Sequence, residues 1–568
     1  MSFHRFKRRI FSRDLRIRGE IDPDEIFLDS SNLPNFDVHQ FEGRIEKPIG
    51  FSTFLWLGLA SFLVVVIFVG KLWNLQVVQG EAFEERSENN RLDHKTIFAN
   101  RGVLYDRNKK SLAWNELNTE GEFAKRAYAT SSGLAHILGY LRYPAKDSSG
   151  FYYEREFKPQ DGAELEFDEE LSGTNGLKIT ETDALGKVQS ESTLQPPIDG
   201  DNVFLSIDSR IQSKLHEFLS ETIKDRGFLA GAGVIMDVHN GEVLALTSFP
   251  EYDPMIMAKG SDVESIQKFL TDKKNPFMNR AISGQFIPGS IMKPYIALGA
   301  LEMDSIDPSK QILANGQISI PNPYVPSNPT IFKDWKIHGW VDMRRAIAVS
   351  SNVYFFTIGG GYEGQKGIGI ANIEKYTKAF GFGSLTGIDM SGEKKGNVPS
   401  TAWKAETFEE GEWRIGDTYN SSIGQYGFQV TPIQATKAVA ALANGGTLVT
   451  PTVLLNNELN DKKVSALPFS NEHMQIVREG MRMGVIEGSA SGLNIAGVNA
   501  AAKTGTAELG VSKQEVNSWV MGYWPYENPR YAFTVMMEKG PRANQIGATN
   551  VMRRLFEWMV IYAPEYLE

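Results

Sequence analysis

Ser290-Ile291-Met292-Lys293, Ser350-Ser351-Asn352 and Lys503-Thr504-Gly505-Thr506 follow one another along the chain and together carry the parts that serine acyl transfer needs. The first supplies a hydroxyl nucleophile with an amine one helical turn away. The second supplies a hydroxyl and an amide, and the third a cation on a strand of small residues. A serine hydroxyl attacks a carbonyl only when a neighbouring base takes its proton, and a lysine can do so once desolvation has lowered its pKa. Ser290 follows Pro288-Gly289 and opens an apolar run to Glu302. That pattern predicts a helix start, where free backbone N–H groups and the macrodipole stabilise developing negative charge. Lys293, three residues on, falls on the same face as the hydroxyl.

Context separates these motifs from chance matches. Ser265-Ile266-Gln267-Lys268 repeats the first pattern, and Ser30-Ser31-Asn32 and Ser87-Glu88-Asn89 repeat the second. Ser350-Ser351-Asn352, however, sits between the amphipathic Met343 to Val349 and the apolar Val353 to Phe356, so its polar groups are expected in a packed interior and need partners. A plain helix cap is the alternative there. Ala500-Ala501-Ala502 before Lys503 and Thr506-Ala507 after it predict a strand along which an extended substrate can lie. Lys503 would attract a carboxylate, and Thr504 or Thr506 would hydrogen-bond it. A backbone N–H of that strand and that of Ser290 are the expected oxyanion hole.

Two other patterns are read as structural. Gly359-Gly360-Gly361-Tyr362-Glu363-Gly364 fits a dinucleotide fingerprint, but no alternating parallel strands follow, which favours a glycine-rich turn. Asp334 and His338 could ligate a metal, yet no cysteine or tight second pair accompanies them. No metal and no cofactor is expected.

The elements that must position the motifs start with the chain's length. At 568 residues it is too long for one core, so two or three folded units and a linker are expected. A net charge of −10 argues against a general nucleic-acid role. Zero cysteines exclude disulfides, thiolate nucleophiles and cysteine-ligated zinc. Pro48 to Gly70 holds no charged side chain; as a helix it would run about 34 Å, enough for a bilayer core of roughly 30 Å. Upstream, Arg5, Lys7, Arg8, Arg9, Arg13, Arg16 and Arg18 would keep the short N-terminal end in the cytoplasm and the bulk of the chain on the outer face. The acidic, weakly apolar stretch that follows reads as a mostly disordered tail, or as a docking segment at the membrane surface or for a partner.

The expected division is therefore a cytoplasmic tail over 1–47, a transmembrane helix over 48–71, a small β-rich membrane-proximal pedestal over 72–200 and a catalytic domain over 201–568. Leu72 to about Asn90 reads as a helix leaving the membrane, and Lys95 to Phe98 and Gly102 to Tyr105 as short strands. A helix capped by Asp208 or Ser209 follows, running to about Lys224. Next comes a hairpin of Gly231 to Val238 and Glu242 to Leu246, whose Asn240-Gly241 suits a type I′ turn. A second hairpin, Ser518 to Trp524 with Arg530 to Glu538, precedes a closing helix over Thr549 to Tyr562. Strand sets flanking a long helical middle predict an α+β domain whose antiparallel sheet is completed by both ends of its sequence.

With these motifs in place, the chain resembles the class B penicillin-binding proteins, monofunctional peptidoglycan D,D-transpeptidases with a serine β-lactamase-like fold. The likeness extends to Arg101-Gly102-Val103-Leu104-Tyr105-Asp106-Arg107-Asn108, Ile423-Gly424-Gln425 with Val430-Thr431-Pro432, and Ala443-Asn444-Gly445-Gly446. Phe332-Lys333-Asp334-Trp335, His338 to Asp342 and Thr386-Gly387-Ile388-Asp389 resemble the elongation-type penicillin-binding protein 2 more than the division type. Lys109 departs from the pattern, standing where the family usually has Gly.

The resemblance implies that Ser290 attacks the D-alanyl-D-alanine bond of a stem peptide and Lys293 takes its proton. Ser350 and Asn352 would relay protons and position substrate, while Lys503, Thr504 and Thr506 hold the terminal carboxylate and Gly505 belongs with Thr504 and Thr506 to the substrate-binding strand. It further implies trapping by β-lactams and a polytopic SEDS-type glycosyltransferase as partner. The alternatives left open are a D,D-carboxypeptidase and a non-catalytic β-lactam sensor or scaffold.

Overall fold

The computed structural model describes residues 51–78, 92–119, 121–148, 152–182, 188–322, 325, 327–409, 411–456 and 464–568. Phe51–Trp73 forms helix α1, and Asn74–Val78 continues it as a wider π-helical turn. Leu55–Val78 is long and apolar enough to cross a membrane. All its side chains are exposed, unlike those of a core helix. The tail expected over 1–47 and the rest of the helix expected to about Asn90 lie outside the described residues.

A second unit runs from Leu92 to Glu568. Its first part is built from short strands, as expected for a β-rich pedestal: β1 (Leu92–Ile97), β2 (Leu104–Tyr105), β3 (Ser111–Glu116), β4 (Lys125–Tyr128), β5 (Gly176–Thr182), β6 (Val188–Gln195) and β7 (Val203–Phe204). They make a three-stranded sheet in the order β1-β5-β6 and a four-stranded sheet in the order β7-β2-β3-β4, with β7 parallel to β2. The Asp106 carboxylate closes the turn after β2 by accepting the N–H groups of Asn108 and Lys110. Lys109 in that turn has φ 64°, the left-handed region where glycine is strain-free.

The longer C-terminal part of this unit opens with α2 (Ser209–Arg226), capped by the Asp208 carboxylate on the N–H groups of Arg210 and Ile211 and ended by left-handed Gly227. Strands β8 (Ala230–Asp237) and β9 (Val243–Phe249) form the expected hairpin, but its turn is not type I′. Only Gly241 takes a positive φ, 78°. Asp237 caps the His239 and Asn240 N–H groups and Asn240 accepts from Glu242, so side chains rather than left-handed backbone shape this turn.

Small hairpins follow, pairing β10 (Ile312–Ala314) with β13 (Gly339–Val341) and β11 (Gln317–Ile320) with β12 (Thr330–Lys333). The helical middle holds α3 (Lys293–Glu302), α4 (Met343–Val349), α5 (Asn352–Gly360), α6 (Ile415–Ser421), α7 (Pro432–Ala443) and α8 (Asn471–Glu487). The chain ends with β14 (Ala501–Leu509), β15 (Glu515–Trp524), β16 (Tyr531–Pro541) and α9 (Ala548–Tyr562).

One antiparallel five-stranded sheet in the order β9-β8-β16-β15-β14 joins both ends of this part, as the sequence predicts. Alternation sorts its residues between two cores. Phe533, Val535 and Met537 pack with Leu215 and Leu219 of α2 and Leu555 and Phe556 of α9. Ala532, Met536, Trp519 and Met521 join the larger core that holds α3 and α7. Helix α3 is buried on all sides, so its N-terminal residues are fixed from every direction.

Candidate active site

Gly289–Met292 forms a 3-10 turn that runs straight into α3, so Ser290 sits in the turn and Lys293 is the first α-helical residue. Gly289 has φ 60° and donates its N–H to Gly424 O at 3.0 Å. A Cβ on Gly289 would stand 3.0 Å from Thr506 O, and one on Gly505 would stand 2.7 Å from Pro288 O. These two glycines therefore let the Ser290 turn lie directly against β14, the edge strand of the sheet. The backbone of the Ser290 turn and that of the Thr506 strand come side by side.

Lys293 and Lys503 are both fully buried. Lys293 Nζ donates to Ser350 O at 2.8 Å, Asn352 Oδ1 at 2.7 Å and Ser350 Oγ at 3.3 Å. Lys503 Nζ donates to the same Ser350 Oγ at 2.8 Å and to Thr504 O at 2.8 Å. One serine hydroxyl thus bridges two buried amines, and every one of these partners is uncharged. Burial lowers the Lys293 pKa to about 7 against the weaker opposing pull of Asp334. Lys503 is held well below its ordinary value by burial and then by the charge of Lys293.

Local structure explains why the second motif presents its groups this way. Ser350 ends α4 in the left-handed region, φ 60° and ψ 39°, and Ser351 caps α5 by accepting the Tyr354 N–H. The sequence alternative of a plain side-chain cap is therefore true of Ser351 alone. Ser350 and Asn352, on either side of it, turn to Lys293.

On β14, Lys503 and Gly505 face the helices while Thr504 takes the other face. Thr504 Oγ1 donates to Ser489 Oγ at 2.7 Å, and Thr506 is exposed. Of the two threonines, Thr506 is the more exposed. The sequence reading did not single out Ser489; its contact spans 15 residues, and no local pattern marks it.

Asp334 and His338 do come together, with His338 Nε2 3.6 Å from Asp334 Oδ1. Among the described residues no group of three or more His, Cys, Asp or Glu is placed to hold a metal ion. The other Asp334 oxygen is taken by Ser351 Oγ and Val353 N–H. Burial raises the Asp334 pKa, but His338, the Asn352 and Val353 N–H groups and nearby Lys293 outweigh it and bring it to about 2. The glycine run at 359–364 ends α5, at a helix C-terminus that repels anions, so it is no phosphate loop.

A serine in a turn before a buried helix, two buried lysines joined by a second serine, and the edge strand of a helix-flanked antiparallel sheet define a serine acyl-transfer architecture. Residues 231–557 match the penicillin-binding protein transpeptidase domain, and residues 121–205 match the penicillin-binding protein dimerisation domain. The chain belongs to the penicillin-binding protein transpeptidase family.

Its relatives include the peptidoglycan D,D-transpeptidase MrdA of Salmonella typhimurium, 29% identical over 77% of this chain and 73% of the relative. MrdA of Escherichia coli is 25% identical over 90% of this chain and 95% of its own. Among solved structures, penicillin-binding protein 2 of Helicobacter pylori in complex with MreC matches with a TM-score of 0.67 at 25% identity, covering 83% of this chain and 98% of that one. Penicillin-binding protein 2 of Pseudomonas aeruginosa in complex with WCK 5153 matches with a TM-score of 0.65 at 26% identity, covering 82% and 98%.

Proposed function

We propose that the chain is a peptidoglycan D,D-transpeptidase of cell elongation that cross-links stem peptides through an acyl-enzyme on Ser290. The observation that carries this reading is Lys293, three residues after Ser290 at the start of the buried helix, held among neutral partners with its pKa lowered to about 7. A neutral amine there accepts the Ser290 proton as the hydroxyl oxygen bonds to the carbonyl carbon of the penultimate D-alanine. The oxyanion forms between the Ser290 turn and the Thr506 strand. Ser350 Oγ, shared by both lysines, passes a proton to the departing amine of the terminal D-alanine as the peptide bond breaks. Lys503 and Thr506 hold that residue's carboxylate. An amine of a second stem then attacks the ester, restoring the serine and making the cross-link. A β-lactam stops at the acyl-enzyme.

Residues 72–200 serve in this reading as the membrane-proximal pedestal and 201–568 as the transpeptidase domain. The apolar helix is the single membrane anchor, with the basic N-terminal end in the cytoplasm and the site on the outer face. The complex of the Helicobacter pylori relative with MreC supports a protein partner of this chain as well. A polytopic SEDS-type glycosyltransferase is the partner that would supply the glycan.

The test uses the full chain in detergent with saturating benzylpenicillin. Intact mass is expected to show one covalent adduct on wild type and none on Ser290→Ala; an unmodified wild type sinks the assignment. Product analysis with a stem-peptide donor and an added amine is expected to give the cross-linked dimer. Free D-alanine with no dimer would assign a carboxypeptidase instead.

A further inference from the structure

Three consecutive residues at the end of β12 each touch one residue of the 350–352 turn, in reverse order. Lys333 O accepts from Asn352 Nδ2 at 3.4 Å. Asp334 Oδ2 accepts from Ser351 Oγ at 2.9 Å and from the Val353 N–H at 3.0 Å. Trp335 Nε1 donates to Ser350 O at 3.3 Å. The carboxylate is itself fixed, because Asp334 donates its N–H to Gly316 O at 2.8 Å and its Oδ1 accepts the Trp335 N–H at 2.8 Å.

The turn needs such a hold. Ser350 occupies the left-handed region without being glycine, a conformation that persists only where its surroundings impose it. Its carbonyl is shared by Lys293 on one side and by the Trp335 indole on the other. A shift of the turn would withdraw the oxygen atoms that hold the Lys293 amine.

We infer that Lys333-Asp334-Trp335 is the positioning clamp of the active-site turn, anchored by the Asp334 carboxylate and closed on the Ser350 carbonyl by the Trp335 N–H. This rests on the reading of Ser290 and Lys293 as nucleophile and base. Neither Asp334 nor Trp335 is given a part in bond making; both act through Ser350, Ser351 and Asn352.

The charged groups that face Lys293 are Lys503, across the Ser350 hydroxyl, and Asp334, which has His338 at its far side. Asp334→Asn keeps the size of the side chain and removes its charge, so the Lys293 cation loses a stabilising anion. Acylation by benzylpenicillin is expected to slow by about 10- to 100-fold, the range for one hydrogen-bonded charge. The acid limb of its pH profile should also move to lower pH. Trp335→Phe keeps the ring and removes the donor; about three- to tenfold slower acylation is expected, at the wild-type melting temperature. A residue that merely filled space would change the melting temperature and leave the pH limb in place.

The clamp is overturned by an Asp334→Asn chain whose limb does not move, or by a Trp335→Phe chain that acylates at the wild-type rate. If Asp334→Asn fails to fold, Trp335→Phe decides alone. An adduct on Ser290→Ala would refute the nucleophile assignment instead, so the two failures are distinguishable.

Discussion

In the β-rich part over 92–200, Arg101 and Arg126 are buried against Glu164, at 2.5 and 2.7 Å from its two oxygens, and Arg101 also meets Asp168 at 2.6 Å. In the cleft, Lys293 and Lys503 are buried as deeply, yet carbonyl, hydroxyl and amide oxygens take the place of carboxylates. Burial alone lowers a cation's pKa in both places. Around Arg101 the carboxylates outweigh it and the value rises; around Lys293 only Asp334, which makes no contact with it, pulls the other way. The difference separates a charge that holds a structure together from an amine ready to take a proton. Paired charge is inert, whereas buried charge with neutral partners is poised.

Removing the poised group gives the largest expected effect. Lys293→Met preserves volume and burial but deletes the proposed base, so acylation should fall by on the order of a thousandfold while the fold survives. Time-resolved intact mass measures it, and a wild-type rate would make Lys293 a bystander. The same amine sets the pH response. Its active form is neutral, so the wild-type acylation rate should climb with pH through about 7 and level off above, where the proton has left. A profile that stays flat across that pH is the contrary result.

The pedestal should respond in the opposite manner. Glu164→Ala leaves Arg126 without its carboxylate and Arg101 with Asp168 alone, a loss of about 3–5 kcal/mol of stability. Denaturant unfolding reads the loss. The fraction that remains folded should acylate at the wild-type rate constant, and a comparable drop in that constant would erase the distinction between the two regions.

A smaller effect is expected at the rim of the cleft, where Thr506 is exposed. Thr506→Val should lower kcat/KM for a donor ending in a free carboxylate by about tenfold, one hydrogen bond to a charged group. A donor ending in a carboxamide should change little. Equal losses for both donors would move the carboxylate site elsewhere.

The cleft was more legible in the sequence than the pedestal for the same physical reason. Lys293 and Lys503 stand in short motifs whose neighbours announce a helix start and a small-residue strand, and the chain needs only to fold for the motifs to meet. The alternation of Phe533, Val535 and Met537 with Ala532 and Met536 likewise marks a sheet buried on both faces. Glu164 carries no such mark: its partners lie 63 and 38 residues away. The pairing of β1 with β5 and of β2 with β7 is equally remote. Asp334 was visible as a carboxylate with a histidine four residues on, but its role depends on contacts across a turn of the chain that spacing does not encode. The hairpin turn at Asn240 failed for a related reason, since the Asp237 and Asn240 side chains override the backbone preference of Asn-Gly.

Two left-handed residues sharpen the comparison at its finest scale. Lys109, in the exposed turn of the pedestal, has φ 64°, and Ser350, in the cleft, has φ 60°. Neither is glycine, so each carries strain of about 1 kcal/mol relative to a residue without Cβ. At Lys109 the side chain is exposed, and the turn is already closed by the Asp106 carboxylate. Lys109→Gly should therefore raise stability by about 0.5–1 kcal/mol, a shift of about 1–2 °C in melting temperature, and leave acylation unchanged. Ser350→Gly relieves the same strain but takes away the hydroxyl on which both lysines close, so acylation should collapse with no gain in melting temperature. If both substitutions raised the melting temperature alike, the Ser350 hydroxyl would contribute nothing to holding the two amines, and the strain in the cleft would be as idle as that in the turn.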